Sequence, residues 1–249
     1  PALSEEQIGQ SADPALQARL AGAGAAATLG AAGLDVNLAP VLDVYRSPDG
    51  FIGAYGRSYS KDPRQAGRLG AAFITAQQAA GVLAVGKHFP GLGAATSSQD
   101  TDNRPVTLDV PAATLRADDE LPYRAAIAAG LRMVMLSWAV YPALDPARPA
   151  GLSPLVVQGE LRQRLGFTGV TITDALEANA LWPFGGISQR AQLAALAGDD
   201  LLLCAGRRVG EGEQALASLA SGYTDGQLSR PAAAAAVARI LALRASIPG

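Results

Sequence analysis

The chain has 249 residues, 49% of them hydrophobic, with 20 basic against 22 acidic side chains. That length supports one large core or two small ones. A net charge of −2 argues against a nucleic-acid footprint. One cysteine, Cys204, excludes an internal disulfide framework and a cysteine-based zinc site; one histidine, His88, excludes any site that needs two His ligands.

The apolar pattern alternates between helical and strand periods. Residues 12–32 read as an Ala- and Leu-rich helix with Asp13 as a possible cap and Gly30 and Gly33 as stops. Leu34 to Val44 reads as a buried strand ending at Asp43. A Gly- and Ser-rich loop over 45–62 leads to a helix over 63–80, with Asp62 as N-cap and Pro63 at its first position. Residues 81–89 (GVLAVGKHF) read as a strand and 90–110 as a long polar loop. A helix over 112–129, broken near Pro122, is followed by a strand over 131–140 and a loop over 141–153 with three prolines. Then come a helix over 154–165 after a Ser153 cap, a strand over 169–173 closing at Asp174, a helix over 187–197 and a strand over 200–204. Two helices, near 211–221 and 230–245, complete the chain.

Strict alternation of apolar strands with helices is the mark of a parallel sheet covered on both faces. The chemistry-bearing residues sit just past strand ends: Asp43, Lys87–His88, Trp138 and Asp174. That edge holds the active site in barrels and in doubly wound sheets. No G-x-G-x-x-G opens a helix after a strand and no G-x-x-x-x-G-K-[ST] occurs, so no nucleotide cofactor is implied. No apolar run of membrane-spanning length is present.

Lys87-His88-Phe89-Pro90-Gly91 places the one His beside one of two Lys at a strand end. The pair reads as donors to sugar hydroxyls, as a Schiff-base lysine of aldolase type, or as an interior histidine beside a surface cation. Asp174 reads as a nucleophile or general base, or as a cap. Asp100 and Asp102 lie in the loop SSQDTDNRP, whose length suits a lid. Arg57 follows Gly53 and Gly56, which let the backbone turn beside it; its planar fork suits hydroxyl or carboxylate recognition.

The segments APVLDV (39–44), GRSYSKDP (56–63), GVLAVGKHFPGLG (81–93), MVMLSWAVYPALDPARPAGLSP (133–154) and LRQRLGFTGVTITDALEANAL (161–181) resemble glycoside hydrolase family 3 in order. They look most like its single-domain β-N-acetylhexosaminidase branch, over roughly residues 15–245. The resemblance implies an α/β fold of (β/α)8 TIM-barrel type. Residues 1–249 would form one domain holding about the last five β/α units, without its first three strands. It implies retaining exo-β-glycosidase chemistry, with no metal or organic cofactor and a carbohydrate as partner. Asp174 matches the aspartate nucleophile, Lys87 and His88 the strand-end pair that binds the sugar, and Arg57 the sugar-binding arginine. The branch usually carries an Asp–His acid/base dyad in the following loop. Here Leu92 replaces one histidine of the motif and the loop has none. Asp100, or failing that Asp102, becomes the expected acid/base, and a sugar-binding pseudoenzyme becomes the alternative. Such enzymes often act on cell-wall fragments, which allows either side of the membrane, with a secreted or envelope location favoured over a cytoplasmic one. Nothing in the sequence sets an oligomeric state.

Overall fold

A computed structural model describes residues 2–247. Its contacts group the chain into two units: one of residues 2–98, 110–135 and 245–247, the other of 99–109 and 136–244.

The first unit begins with a short helix, α1 (Glu5–Gly9), closed by a reciprocal cap between Ser4 and Gln7. Helix α2 (Pro14–Ala31) starts at Asp13, whose carboxylate accepts from Leu16 N–H, and at Pro14. Helix α3 (Pro63–Ala79) repeats the device with Asp62 and Pro63, as the sequence leads one to expect. Strand β1 (Val36–Asn37) is shorter than the apolar run that contains it. Past β1 the backbone pairing with the next strand continues through the Ala39 and Pro40 carbonyls to a single bridge at Val41. Strand β2 (Leu83–Phe89) pairs with β1 in parallel. Helix α4 (Leu121–Ala128) has Pro122 in its first turn, and a π-turn over Leu115–Asp119 precedes it, which accounts for the break expected there. Strand β3 (Met133–Leu136) lies beside β2.

The core of this unit is Ile8, Ala18, Ala21, Ala25, Tyr59, Leu69 and Phe73. Alanine on α2 lets α3 approach closely. At Gly22 the approach is closer still: a Cβ there would stand 2.3 Å from the Phe73 carbonyl oxygen.

In the second unit, strand β4 (Val140–Tyr141) and strand β5 (Asp145–Pro149) form an antiparallel ribbon where the sequence suggests only loop. Prolines on an edge ribbon cost little because their side of the ladder is open. Ser153 ties it down: its hydroxyl donates to Asp145 Oδ2 at 2.6 Å and accepts from Val156 N–H. The expected helix over 154–165 is present as a π-helix over Leu155–Arg164. Strand β6 (Val170–Ala175) pairs in parallel with β7 (Leu201–Leu203). Helices α5 (Ile187–Ala197), α6 (Val209–Thr224) and α7 (Arg230–Ala245) complete the unit. Its core gathers Trp138, Leu152, Leu176, Leu181, Ala191 and Ala194. Parallel strands alternating with helices, three strands in one unit and two in the other, make the α/β architecture that the sequence pattern implies.

Candidate active site

In the first unit the site is built around Asp43, which is fully buried where the first strand segment ends. Its Oδ2 accepts from His88 Nδ1 at 2.8 Å. Its Oδ1 accepts from the backbone N–H of His88 at 3.2 Å and of Leu92 at 2.7 Å. One carboxylate thus holds the imidazole and both ends of the turn after β2. Because Asp43 takes the Nδ1 side of the ring, Nε2 is the ring nitrogen left to face a ligand. The turn runs through cis peptides at Lys87–His88 and Phe89–Pro90. Phe89 packs edge-on against Tyr123, with ring centroids 5.0 Å apart. Backbone then meets backbone at Gly93, where a Cβ would stand 1.8 Å from the Val44 carbonyl oxygen.

Lys87, among the last three residues of β2, bridges Val41 in parallel register, four residues past the end of β1. Arg57 follows Gly56, whose φ of +59° is the left-handed turn that only glycine adopts freely. Its guanidinium lies over the Phe51 ring, 5.4 Å from the centroid. Two further carboxyl groups border Asp43. Glu5 Oε1 accepts from Val41 N–H at 2.9 Å, and burial raises its carboxyl well above the ordinary range. Asp119 is fully buried and receives Arg46 Nη2 at 2.5 Å. Burial nevertheless outweighs Arg46 and raises Asp119 to about 7, with the charges of Asp43 and Asp118 adding to the rise.

In the second unit Asp174 stands at the end of β6, half-buried, with Oδ1 accepting from Ala175 N–H at 2.8 Å. Trp138 is almost wholly buried, and its indole N–H donates to the Ala175 carbonyl at 2.8 Å, fixing the backbone next to Asp174. The polar loop is held to the segment that follows: Asn179 N–H donates to Asp102 O and Ala180 N–H to Thr101 O, both at 3.0 Å. Asp100 spends its carboxylate inside the loop, accepting from Asp102 N–H and from the Asn103 side chain. Asp102 is exposed. A cavity of about 280 Å³ opens among Gln158, Asp199, Tyr223 and Arg239, beside the N-terminal end of β7. The chemistry-bearing residues follow the strands instead, so the site is assigned from their geometry rather than from that hollow.

Each unit therefore presents part of the expected set: Arg57, Lys87 and His88 in one, Asp174 with the Asp100–Asp102 loop in the other. Sequence reading noted Asp43 at a strand end and gave it no role. The signal that could have assigned one is the parallel register, which sets Val41 beside Lys87 and so Asp43 beside the His88 turn. Glu5 escaped notice because a five-residue helix leaves no periodic trace. No group of three or more His, Cys, Asp or Glu side chains among the described residues is placed to hold a metal ion. No helix among them is long and apolar enough to cross a membrane.

The profile of the glycosyl hydrolase family 3 N-terminal domain matches residues 4–243. A protein of Arthroderma benhamiae described as an uncharacterized secreted glycosyl hydrolase is 44% identical over 247 residues, covering 99% of this chain and 70% of its own length. A β-hexosaminidase of Stenotrophomonas maltophilia is 39% identical over 175 residues, which is 70% of this chain and 50% of that protein. The chain thus spans about half the length of the bacterial relatives it matches. Among solved structures, a family 3 β-N-acetylglucosaminidase from a Paenibacillus species superposes with a TM-score of 0.92 at 36% identity, over 98% of this chain and 46% of that one. The β-N-acetylhexosaminidase of Beutenbergia cavernae gives 0.87 at 33% identity, over 97% and 71%. The motifs at the strand ends, the α/β fold and these likenesses agree: the chain is a glycoside hydrolase domain with part of a TIM-type barrel, and it belongs to glycosyl hydrolase family 3, in its β-hexosaminidase branch.

Proposed function

We propose that the chain carries the site of a retaining exo-β-glycosidase that acts on β-N-acetylhexosaminides. The observation that carries the reading is Asp43: a buried carboxylate that orients His88 and locks the Lys87–Gly91 turn is a support for ligand donors, and a solvated loop would not need it. Lys87, His88 and Arg57 bind the hydroxyls of the terminal sugar. These contacts hold the ring in place for attack at the anomeric carbon. Asp174 attacks the anomeric carbon from the face opposite the leaving group and forms the glycosyl–enzyme. A carboxyl of the 99–109 loop protonates the departing oxygen and later deprotonates water. Asp100 accepts from within the loop, and Asp102 lies exposed two residues on. The backbone bonds from Asn179 and Ala180 tether this loop five and six residues beyond Asp174. Closure over a sugar would supply the burial that keeps a carboxyl protonated. The choice of N-acetylhexosamine rests on the relatives and solved neighbours that act on such sugars. A location outside the cytoplasm draws on the fungal relative described as secreted.

The test is a panel of aryl β-glycosides with Asp174→Asn. The variant is expected to lose turnover by on the order of a thousandfold or more, because the covalent step has no nucleophile. Its melting temperature should stay within about 2 °C, since Asp174 Oδ1 accepts only its neighbour's N–H. Undiminished turnover on an aryl β-N-acetylglucosaminide, or labelling by a slow fluoro-sugar anywhere but Asp174, would remove the assignment.

A further inference from the structure

The chain has two tryptophans, and the fold treats them oppositely. Trp138 is 1% exposed in the core of the second unit, whereas Trp182 is 76% exposed. The mechanism gives Trp182 no task. It lies eight residues past Asp174, on a 3-10 helix over Asn179–Phe184. That helix is firmly seated, because Ala180 and Leu181 are buried in the core that also holds Leu176 and Trp138. One guanidinium ties the segment at both ends: Arg190 Nη1 donates to the Leu176 carbonyl and Nε to the Gly185 carbonyl, both at 2.8 Å. The chain from Leu176 to Gly185 therefore returns close to its start, two residues after Asp174. In a 3-10 helix residues i and i+3 eclipse, about 6 Å apart along the axis. Asn179 and Trp182 thus share its exposed face, and Asn179 N–H donates to the Asp102 carbonyl at 3.0 Å.

We infer that the Trp182 indole is a platform for the sugar on the leaving-group side of the scissile bond, so that the substrate is a saccharide chain and not the glycoside of a small alcohol. This rests on the glycosidase reading above. Placement carries the assignment. Asp174 attacks from the face opposite the leaving group, and the 99–109 loop meets the departing oxygen. Trp182 stands on the helix tethered to that loop, one turn from the tether, and so on the departing side. The chemistry suits a sugar ring. A β-linked hexosamine unit carries its substituents equatorially, which leaves axial C–H groups on both faces. Those hydrogens are slightly positive and meet the negative face of an indole. The seat is formed in advance, so stacking requires little ordering. A lone exposed apolar side chain is ordinary on a protein surface. An indole braced both to the end of the nucleophile's strand and to the acid-bearing loop is not.

The experiment compares wild type, Trp182→Ala and Trp182→Phe on N,N′-diacetylchitobiose and on β-N-acetylglucosaminyl fluoride, whose leaving group has no ring to stack. Thermal melts serve as controls. A platform holds the sugar alike before and during reaction, so Trp182→Ala should raise KM for the disaccharide about tenfold with kcat within about threefold. Its kinetics on the fluoride should stay within about twofold of wild type. Phenylalanine keeps an aromatic face and should recover most of the lost affinity. Binding is read directly on the Asp174→Asn background: the disaccharide should shift the tryptophan emission, and adding Trp182→Phe should abolish the shift. An unchanged disaccharide KM in Trp182→Ala overturns the inference. So does a loss on the disaccharide matched by an equal loss on the fluoride, or an emission shift that persists without Trp182. A wild type inactive on both substrates would instead remove the glycosidase reading. An emission shift that depends on Trp182 would still support the platform in that case, and its absence would end both.

Discussion

Asp43→Asn puts the support of the turn to a quantitative test. Asp43 makes three hydrogen bonds, all in the protein interior: from His88 Nδ1, His88 N and Leu92 N. A bond to an ionised acceptor contributes about 1 kcal/mol more than a neutral one, so removing the charge costs about 3 kcal/mol over the three. For a chain of this size about 3 kcal/mol lowers the melting temperature by roughly 6–12 °C. The chemical effect is separate. The asparagine oxygen can keep the two backbone N–H groups, which leaves its amide N–H₂ facing His88 Nδ1. The imidazole must then accept at Nδ1 and carry its proton on Nε2, which exchanges the roles of the two ring nitrogens. A loss on the order of a hundredfold in kcat/KM, about 2.7 kcal/mol, is expected. Thermal unfolding followed by circular dichroism, with steady-state kinetics on an aryl β-N-acetylglucosaminide, measures both. An Asp43→Asn protein that melts within 2 °C of wild type and keeps kcat/KM within threefold would refute the claim that this carboxylate organises the site.

Asp119 gives a pH prediction with a defined sign. Its folded value of about 7 lies above that of an unfolded aspartate, so the folded state holds the extra proton between them. The contribution to stability is therefore full below about pH 4 and is lost as pH rises through about 7. Asp119→Asn should remove that loss: urea melts at pH 4, 5.5 and 7 should show the variant gaining on wild type by up to about 4 kcal/mol over the window. A difference that stays constant with pH would contradict the burial argument. On α2, Gly22→Ala drives a methyl into the Phe73 carbonyl oxygen and should cost about 2–3 kcal/mol. Gly24→Ala on the same helix meets nothing within 4 Å and should stabilise by up to about 1 kcal/mol. Chemical denaturation of the two side by side checks the pair, and equal effects would mean that α2 and α3 do not pack as described.

What could be read in advance depended on how local the cause was. The starts of α2 and α3 were legible because an aspartate followed by proline satisfies and pre-shapes a helix end within four residues. The β4–β5 ribbon was not, because its three prolines are the usual marks of a loop and only pairing at an open edge makes them tolerable. The two π-helical stretches are likewise indistinguishable by composition from α-helix. At the site, Lys87, His88 and Asp174 stood out through their place after apolar strands. The capping use of Asp100 could be seen only once the loop had its turns.

The alternation of apolar strands with helices, then, was enough by itself to imply the class of fold, and the ordered motif segments carried the family resemblance. These depend on residue type and spacing along the chain. Tertiary structure alone decided that Asp43 holds the imidazole, that Asp119 sits buried behind the Gly91 turn beside Arg46, and that Glu5 accepts from the Val41 N–H. Those acids lie 45, 28 and 36 residues from His88, Gly91 and Val41. Parallel register and burial join them, and both are properties of the packed sheet that no local stretch of sequence carries.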